Sequence, residues 1–271
     1  MVHLGPGELA GQRCLPLSLT GEGRAILSPR RRILTIVATT VAVLVLASAG
    51  LYRLARSRTT QLFGRLVARV ETPERVVALT FDDGPTAQRV EELIAALESK
   101  QVRATFFVTG NGLAEAPEAG RRLVAAGHQL GNHTYAHQRM VLRSQGFYRS
   151  EIERTDLLIR AAGERGEILF RPPFCWKLVG LPWFLSRTGR TTVTWDIEPD
   201  SYREVTVSPE RITAHVRERA RPGSIILMHV WWGEAGSSGA ACRAAIPMVI
   251  DGLRGDGYRF VTVRELLRLG R

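Results

Sequence analysis

The stretch VVALTFDDGP, residues 76–85, is an apolar run that ends on two adjacent carboxylates and a Gly-Pro turn. Asp, Gly and Pro are the residues a surface turn favours, so Asp82 and Asp83 take their meaning from the chain around them. Downstream, short apolar runs alternate with helical patterns. AQRVEELIAALESK (residues 87–100) carries Val90, Leu93, Ile94 and Leu97 on one helical face. ATFFVTG (104–110) is the next buried run, and PEAGRRLVAAG (117–127) has Pro117 suited to a first helical turn. HQLGNH (128–133), a helix over 145–162, ILFRPP (168–173), a short helix over 181–186 and TTVTWDI (191–197) follow. SPERITAHVRERA (208–220) opens on Ser208 as an N-cap, and SIILMH (224–229), a helix over 240–254 and YRFVTV (258–263) complete the series. This repetition predicts an α/β fold with a mainly parallel sheet, and about seven such units suit a distorted β/α barrel.

In such an architecture the chemistry gathers at the carboxyl ends of the strands. Polar residues stand at those ends here. Asp82 and Asp83 follow VALTF, His133 and His137 follow QLG, and Arg171 follows ILF. Asp196 and Glu198 follow TVTW, and His229 follows IILM. Turn chemistry explains one or two such placements; five at strand ends indicate a site.

The net charge of +11 belongs mainly to the N-terminal segment, because residues 1–70 hold ten Arg against Glu8 and Glu22, leaving +3 for the remainder. A nucleic-acid groove on the main domain is therefore not expected. Within the segment, ILTIVATTVAVLVLASAGLY (33–52) is uncharged and flanked by Arg30–Arg32 and by Arg53, Arg56 and Arg58. Twenty residues at helical rise cross a bilayer core, and ASAG (47–50) also has the form of a signal-peptidase site with cleavage after Ala49. Both readings imply export. The expected organisation is a basic tail over 1–32, an anchor or signal segment over 33–52, a linker over 53–72 and a catalytic domain over 73–271. Cys14 lies across the apolar segment from Cys175 and Cys242, which are open to pairing or to remaining buried thiols.

HTYAH (133–137) brings two imidazoles to one metal, whether on a helix face or in a loop. With Asp83 as third ligand the set leaves an open position for water, as catalytic zinc sites do, and Asp82 remains free as a general base. Zinc, cobalt or another divalent ion suits two imidazoles and a carboxylate. Trp176, Trp183, Trp231 and Trp232 are candidates to line a sugar groove, with the pair after His229 favoured. His128 and His215 are expected to be structural or exposed.

At this point the sequence resembles the polysaccharide deacetylases of the NodB-homology type, carbohydrate esterase family 4, over residues 75–263. TFDDGP is similar to the family's first motif, which implies Asp82 as base and Asp83 as metal ligand. HTYAH resembles the second, implying His133 and His137 as ligands. RPPF (171–174) resembles the third, with Arg171 orienting the base and Phe174 offering a backbone N–H to an oxyanion. LMH (227–229) is similar to the fifth, implying that Leu227 lines an acetyl methyl pocket and His229 is the general acid. The fourth motif departs from the family pattern: EPDSY (198–202) has Glu198 and Ser201 where two Asp are usual, leaving Asp196 and Asp200 as candidate tuning acids. The resemblance implies a metal-dependent N-acetyl hydrolase acting on an acetylated polysaccharide, peptidoglycan or chitin-like, as a monomer held to a membrane by its N-terminal segment. The alternatives are a catalytically silent carbohydrate-binding protein of the same fold and an O-acetyl esterase.

Overall fold

In the computed structural model, which describes residues 28–234 and 237–270, the apolar runs become strands. They are β1 (Leu66–Val67), β2 (Val76–Asp82), β3 (Thr105–Val108), β4 (Gln129–Asn132), β5 (Thr192–Val193), β6 (Ser224–Met228) and β7 (Arg259–Phe260). The helices are α1 (Pro29–Ala55), α2 (Val90–Glu98), α3 (Gly110–Glu115), α4 (Pro117–Ala125), α5 (Gln145–Ala161), α6 (Gly180–Arg187), α7 (Pro209–Arg219), α8 (Ser238–Gly255) and α9 (Val263–Leu269). Caps act where their residue types predict them. The Ser208 side chain accepts from Arg211 N–H at the start of α7, Pro117 occupies the first turn of α4, and Thr262 and Glu265 form a reciprocal capping box on α9.

β4, β3, β2 and β6 form a parallel ladder in that order, with β7 parallel to the start of β2. All seven residues of β2 are buried, and its side chains alternate between two cores. Val77, Leu79 and Phe81 join the cluster that also holds residues of α2, α4 and α8. Val76 and Ala78 face Phe107, Leu227, Trp195 and Leu266. The sheet continues past its ladders through isolated parallel bridges, Asn132 to Phe170, Phe170 to Thr192 and Ile197 to Ile226, while β5 pairs with β1. These links are single bridges, so the hydrogen bonds describe a mainly parallel α/β sheet with barrel-like links in place of a regular barrel. Because the strands run parallel, their carboxyl ends meet at one edge: Phe81 lies opposite Met228, Asp82 opposite Phe107, and Val108 opposite Asn132. Asp82, His133 and His229 stand at that edge.

The chain divides into two compact units, Met1–Ala47 and Ser48–Arg271. Helix α1, with mean hydropathy 2.3 in its most apolar window, is long and apolar enough to cross a membrane, and its residues there are exposed. Residues 53–72 are not the plain linker that their composition suggests. Leu66 and Val67 pair with β5, and Ala55, Val67 and Val70 are buried. Cys175 and Cys242 are both buried free thiols, so the disulfide alternative is not realised; Cys14 lies outside the described residues.

Candidate active site

Asp82 closes β2 and is 2% exposed, and its carboxylate is held from below. Arg171, wholly buried, donates from Nη1 to Asp82 Oδ1 at 2.7 Å and to Thr80 Oγ1 at 2.9 Å. The other guanidinium nitrogens donate to the Val193 and Thr194 carbonyls at 3.3 and 3.0 Å, and the ring of Phe107 lies 4.0 Å beneath Cζ. Burial pulls the Arg171 pKa below its ordinary value, and the Asp82 charge beside it opposes that loss. A buried cation with every arm occupied fixes one orientation of Asp82.

Asp83 turns the chain at φ 80° and points into the site. Its Oδ1 lies 3.0 Å from His137 Nε2 and 3.4 Å from His133 Nε2, and the three candidate ligand atoms fall within 4.8 Å of one another. His133 Nδ1 lies 2.8 Å from the Arg171 carbonyl. That contact makes Nδ1 the protonated nitrogen and leaves the Nε2 lone pair facing Asp83, which is how a metal-binding histidine is oriented. Asp83 Oδ1 is buried and accepts no aligned hydrogen bond. An orphaned carboxylate oxygen facing two imidazole nitrogens fits a divalent cation. Burial alone would raise the Asp83 carboxyl, but His133 and His137 when protonated, and the charge of His229, hold it well below the usual carboxylate range.

HTYAH is a loop and not a helix. Thr134 and His137 take φ of 67° and 51°, and buried Glu151 on α5 accepts from Tyr135 N–H and Ala136 N–H at 3.1 and 2.8 Å. Asn132 caps the same turn, accepting from Thr134 N–H at 2.8 Å. Neither Glu151 nor Asn132 is marked by a motif; a buried Glu in the middle of an amphipathic helix is the only trace the sequence offers of the former.

His229 follows β6 opposite the triad, its Nε2 3.9 Å from Asp83 Oδ2. Asp200 Oδ2 accepts from His229 N–H at 2.7 Å and lies 2.8 Å from Nδ1. Burial works against the imidazolium, but the hydrogen bond and charge of Asp200, with Asp82 and Asp83 beyond, push His229 up to about 10. Of the two candidate tuning acids, Asp200 therefore reaches the site. Asp196 does not, because its oxygens accept from Ser224 Oγ and Ile225 N–H, both at 2.8 Å, on the neighbouring strand. Glu198 accepts from Trp195 Nε1 at 3.0 Å and is paired with Arg58.

Asp82, Asp83, His133, His137, Glu198 and His229 line a cavity of about 460 Å³ with Phe174 and Trp195 in its wall. Phe174 is half-exposed at φ 55°, with Cys175 beside it at φ 59°, a strained conformation for both residues. Its ring lies 4.6 Å from that of His137. Trp231 is not at the groove, as expected of it, but 2% exposed in the core. The strand ends at Met228, and past it the chain departs from strand alternation: Trp231, two residues after His229, packs on Phe106 and against Gly84, whose missing Cβ would lie 2.0 Å from the indole. Trp232 is 59% exposed and borders a second hollow beside Asp83. Leu227 is fully buried among the residues packed behind β2, beneath the cavity and not on its surface. His128 and His215 are structural in position, at 4% and 8% exposure.

A parallel α/β sheet carrying paired carboxylates, a two-histidine loop and a buried Arg at one edge defines a class of hydrolytic site, and the relatives agree. Residues 69–179 match the polysaccharide deacetylase family. Two peptidoglycan-N-acetylglucosamine deacetylases of Bacillus cereus are 31% identical over 196 residues, covering 72% of this chain and 69% of the relative, and 30% identical over 208 residues, covering 76% and 94%. The crystal structure of a peptidoglycan N-acetylglucosamine deacetylase bound to a hydroxamate superposes with a TM-score of 0.67 at 28% identity, over 73% of this chain and 91% of that one. The family 4 carbohydrate esterase of Streptomyces lividans, bound to acetate, gives 0.60 at 34% identity over 69% and 92%. The chain belongs to the polysaccharide deacetylase family, carbohydrate esterase family 4.

Proposed function

We propose that this chain removes N-acetyl groups from N-acetylglucosamine-type residues of a peptidoglycan-like glycan, as a membrane-anchored enzyme with its catalytic domain outside. The observation that carries this reading is the placement of a carboxylate and an imidazolium about one ligand triad: Asp82 fixed by Arg171 on one side and His229 charged by Asp200 on the other. Paired groups of this kind serve general base and general acid roles.

Asp83, His133 and His137 are the residues that would hold a divalent ion, zinc or cobalt among those the donor set accepts. Such an ion supplies Lewis acidity, lowering the pKa of water and polarising an amide carbonyl. Asp82 takes the proton of the attacking water, and the guanidinium of Arg171 keeps its second oxygen aimed at the cavity. His229 gives its Nε2 proton to the leaving amine, and Asp200 holds the opposite ring nitrogen. The Phe174 N–H is assigned to the developing oxyanion, a donor of a kind worth about 3–4 kcal/mol elsewhere. With Asp200 supplying the charge, the altered fourth motif does not silence the site.

The test is acetate release by the full chain from peptidoglycan, chitin oligomers and acetylxylan, with and without a chelator. Release from the N-acetyl glycans that stops with chelator and returns with zinc or cobalt is expected; release from acetylxylan alone, or indifference to chelation, overturns the reading. Asp82→Asn is expected to lower kcat by about 10²–10⁴ at unchanged metal content, and full turnover in that variant would remove Asp82 from the base role.

A further inference from the structure

The end of the apolar stretch and the segment after it form one wall of the active-site cavity, through Tyr52, Arg53, Arg56 and Arg58. It is fixed there largely by its own carbonyls. Lys177 N–H donates to the Ala55 carbonyl at 2.8 Å, the buried Lys177 ammonium donates to the Ser57 carbonyl, and the Thr194 hydroxyl donates to the Arg58 carbonyl. The three arginines differ in what they meet. Arg58 is neutralised by Glu198 and lies over the Trp195 ring at 4.9 Å. Arg56 donates to the Tyr52 hydroxyl at 2.8 Å and lies 5.7 and 5.9 Å from the Tyr52 and Trp176 rings, and Arg139 also lies over Trp176, at 5.6 Å. Among the described residues no carboxylate stands within ion-pair distance of Arg53 or Arg56, while Asp82 and Asp83 already face Arg171 and the histidines.

Guanidinium groups without counter-ions at a cavity wall, one of them oriented by aromatic rings, are built to receive an anion, since the planar fork matches the oxygens of a carboxylate or phosphate. A neutral N-acetyl sugar offers them hydroxyl and carbonyl oxygens but no opposite charge. We infer that Arg53 and Arg56 select glycans bearing an anionic substituent, a carboxylate or a phosphate, close to the reacting acetamide. This rests on the deacetylase reading above.

The test uses the full chain, metal-loaded and in detergent, with three matched N-acetylated oligosaccharides: one carrying a carboxylate, its methyl ester, and a phosphorylated counterpart. Both kcat/KM for acetate release and Kd by calorimetry are measured. At about 20 mM salt the charged substrate is expected to exceed the ester by roughly tenfold, mainly through KM and Kd, with the ratio shrinking as salt rises. The carboxylate and phosphate arms show which source of charge is preferred. Arg53→Gln with Arg56→Gln collapses the ratio, Arg53→Lys with Arg56→Lys retains part of it, and Arg65→Gln, an exposed arginine outside the cavity, leaves it intact. Charge preference in Kd without acetate release supports the arginine rim and overturns the deacetylase reading. Acetate release with charged-to-ester ratios near one, or ratios unmoved by the double Gln substitution, overturns the rim.

Discussion

At the scale of the residue, the His229–Asp200 pair fixes how the site responds to pH. With the imidazole held at about 10, the proposed acid stays protonated through neutrality, so loss of activity on the basic side should come only as pH approaches that value. Asp200→Asn removes the hydrogen-bonded charge, and the basic limb of kcat/KM should then fall back toward the ordinary histidine value of about 6.5. The variant should lose about fourfold at about pH 7 and about tenfold at about pH 7.5, and it should recover as the pH is lowered. A pH–rate profile with an unmoved basic limb would assign the tuning elsewhere. The stability linkage has the same sign: a raised histidine contributes stability that is complete below about pH 6.5 and disappears as pH rises through about 10. The sequence made Asp82, Asp83, His133, His137, Arg171 and His229 legible as candidates because each follows an apolar run that ends at the same sheet edge. It left Asp196 and Asp200 undecided, because spacing does not reveal that the helical turn Pro199–Ser201 aims Asp200 at His229. Nor did it show that Trp231 points inward: the step that turns His229 to the cavity and Trp231 to the core is a backbone fact.

At the scale of the element, β4 shows how burial of a titratable group sets acid stability. His128, just before that strand, accepts Ala104 N–H on Nδ1 at 3.2 Å and packs on Phe106 at 5.2 Å between ring centroids. Burial and the nearby Arg103 charge push it down to about 4. The neutral form is therefore required in the fold, and stability present above about pH 6.5 is lost as pH falls toward about 4, by up to about 3 kcal/mol. His128→Gln, which keeps an acceptor for Ala104, should flatten that slope in denaturant melts taken between those pH values; an unchanged slope would place the titrating group elsewhere. The long ladders of β2, β3, β4 and β6 follow the apolar runs closely, because a run buried on both faces has one reading once flanking turns bound it. ILFRPP was less legible. Pro172 and Pro173 have no N–H to donate, and only Phe170 makes the bridge. HTYAH left helix and loop open because its turn is imposed by Glu151 from a different element.

At the scale of the whole chain, the same logic reassigns the residues between the apolar helix and the first long strand. Their arginine-rich composition resembles a solvated linker, and their contacts run through the carbonyls of Ala55, Ser57 and Arg58 and through a two-residue strand, none of which leaves a side-chain pattern. The expected consequence is a sharp difference between two shortened chains. Removing residues 1–47 leaves the unit Ser48–Arg271 whole, and its thermal transition should be sharp, with acetate release matching that of the full chain in detergent. Removing residues 1–70 strips β1 from β5 and takes away buried Val67 and Val70, whose burial contributes about 3–6 kcal/mol. For a domain of this size that corresponds to a fall in Tm on the order of 10 °C. It also exposes Cys175 and Lys177 on the cavity side, since both bond to the Ser57 carbonyl. Acetate release should fall with it even below the melting transition, because the wall that carries Arg53 and Arg56 is gone and Trp195 loses the cover of Arg58. Equal melting temperatures and equal kcat/KM for the two shortened chains would show that residues 48–70 are dispensable and return them to the role of linker.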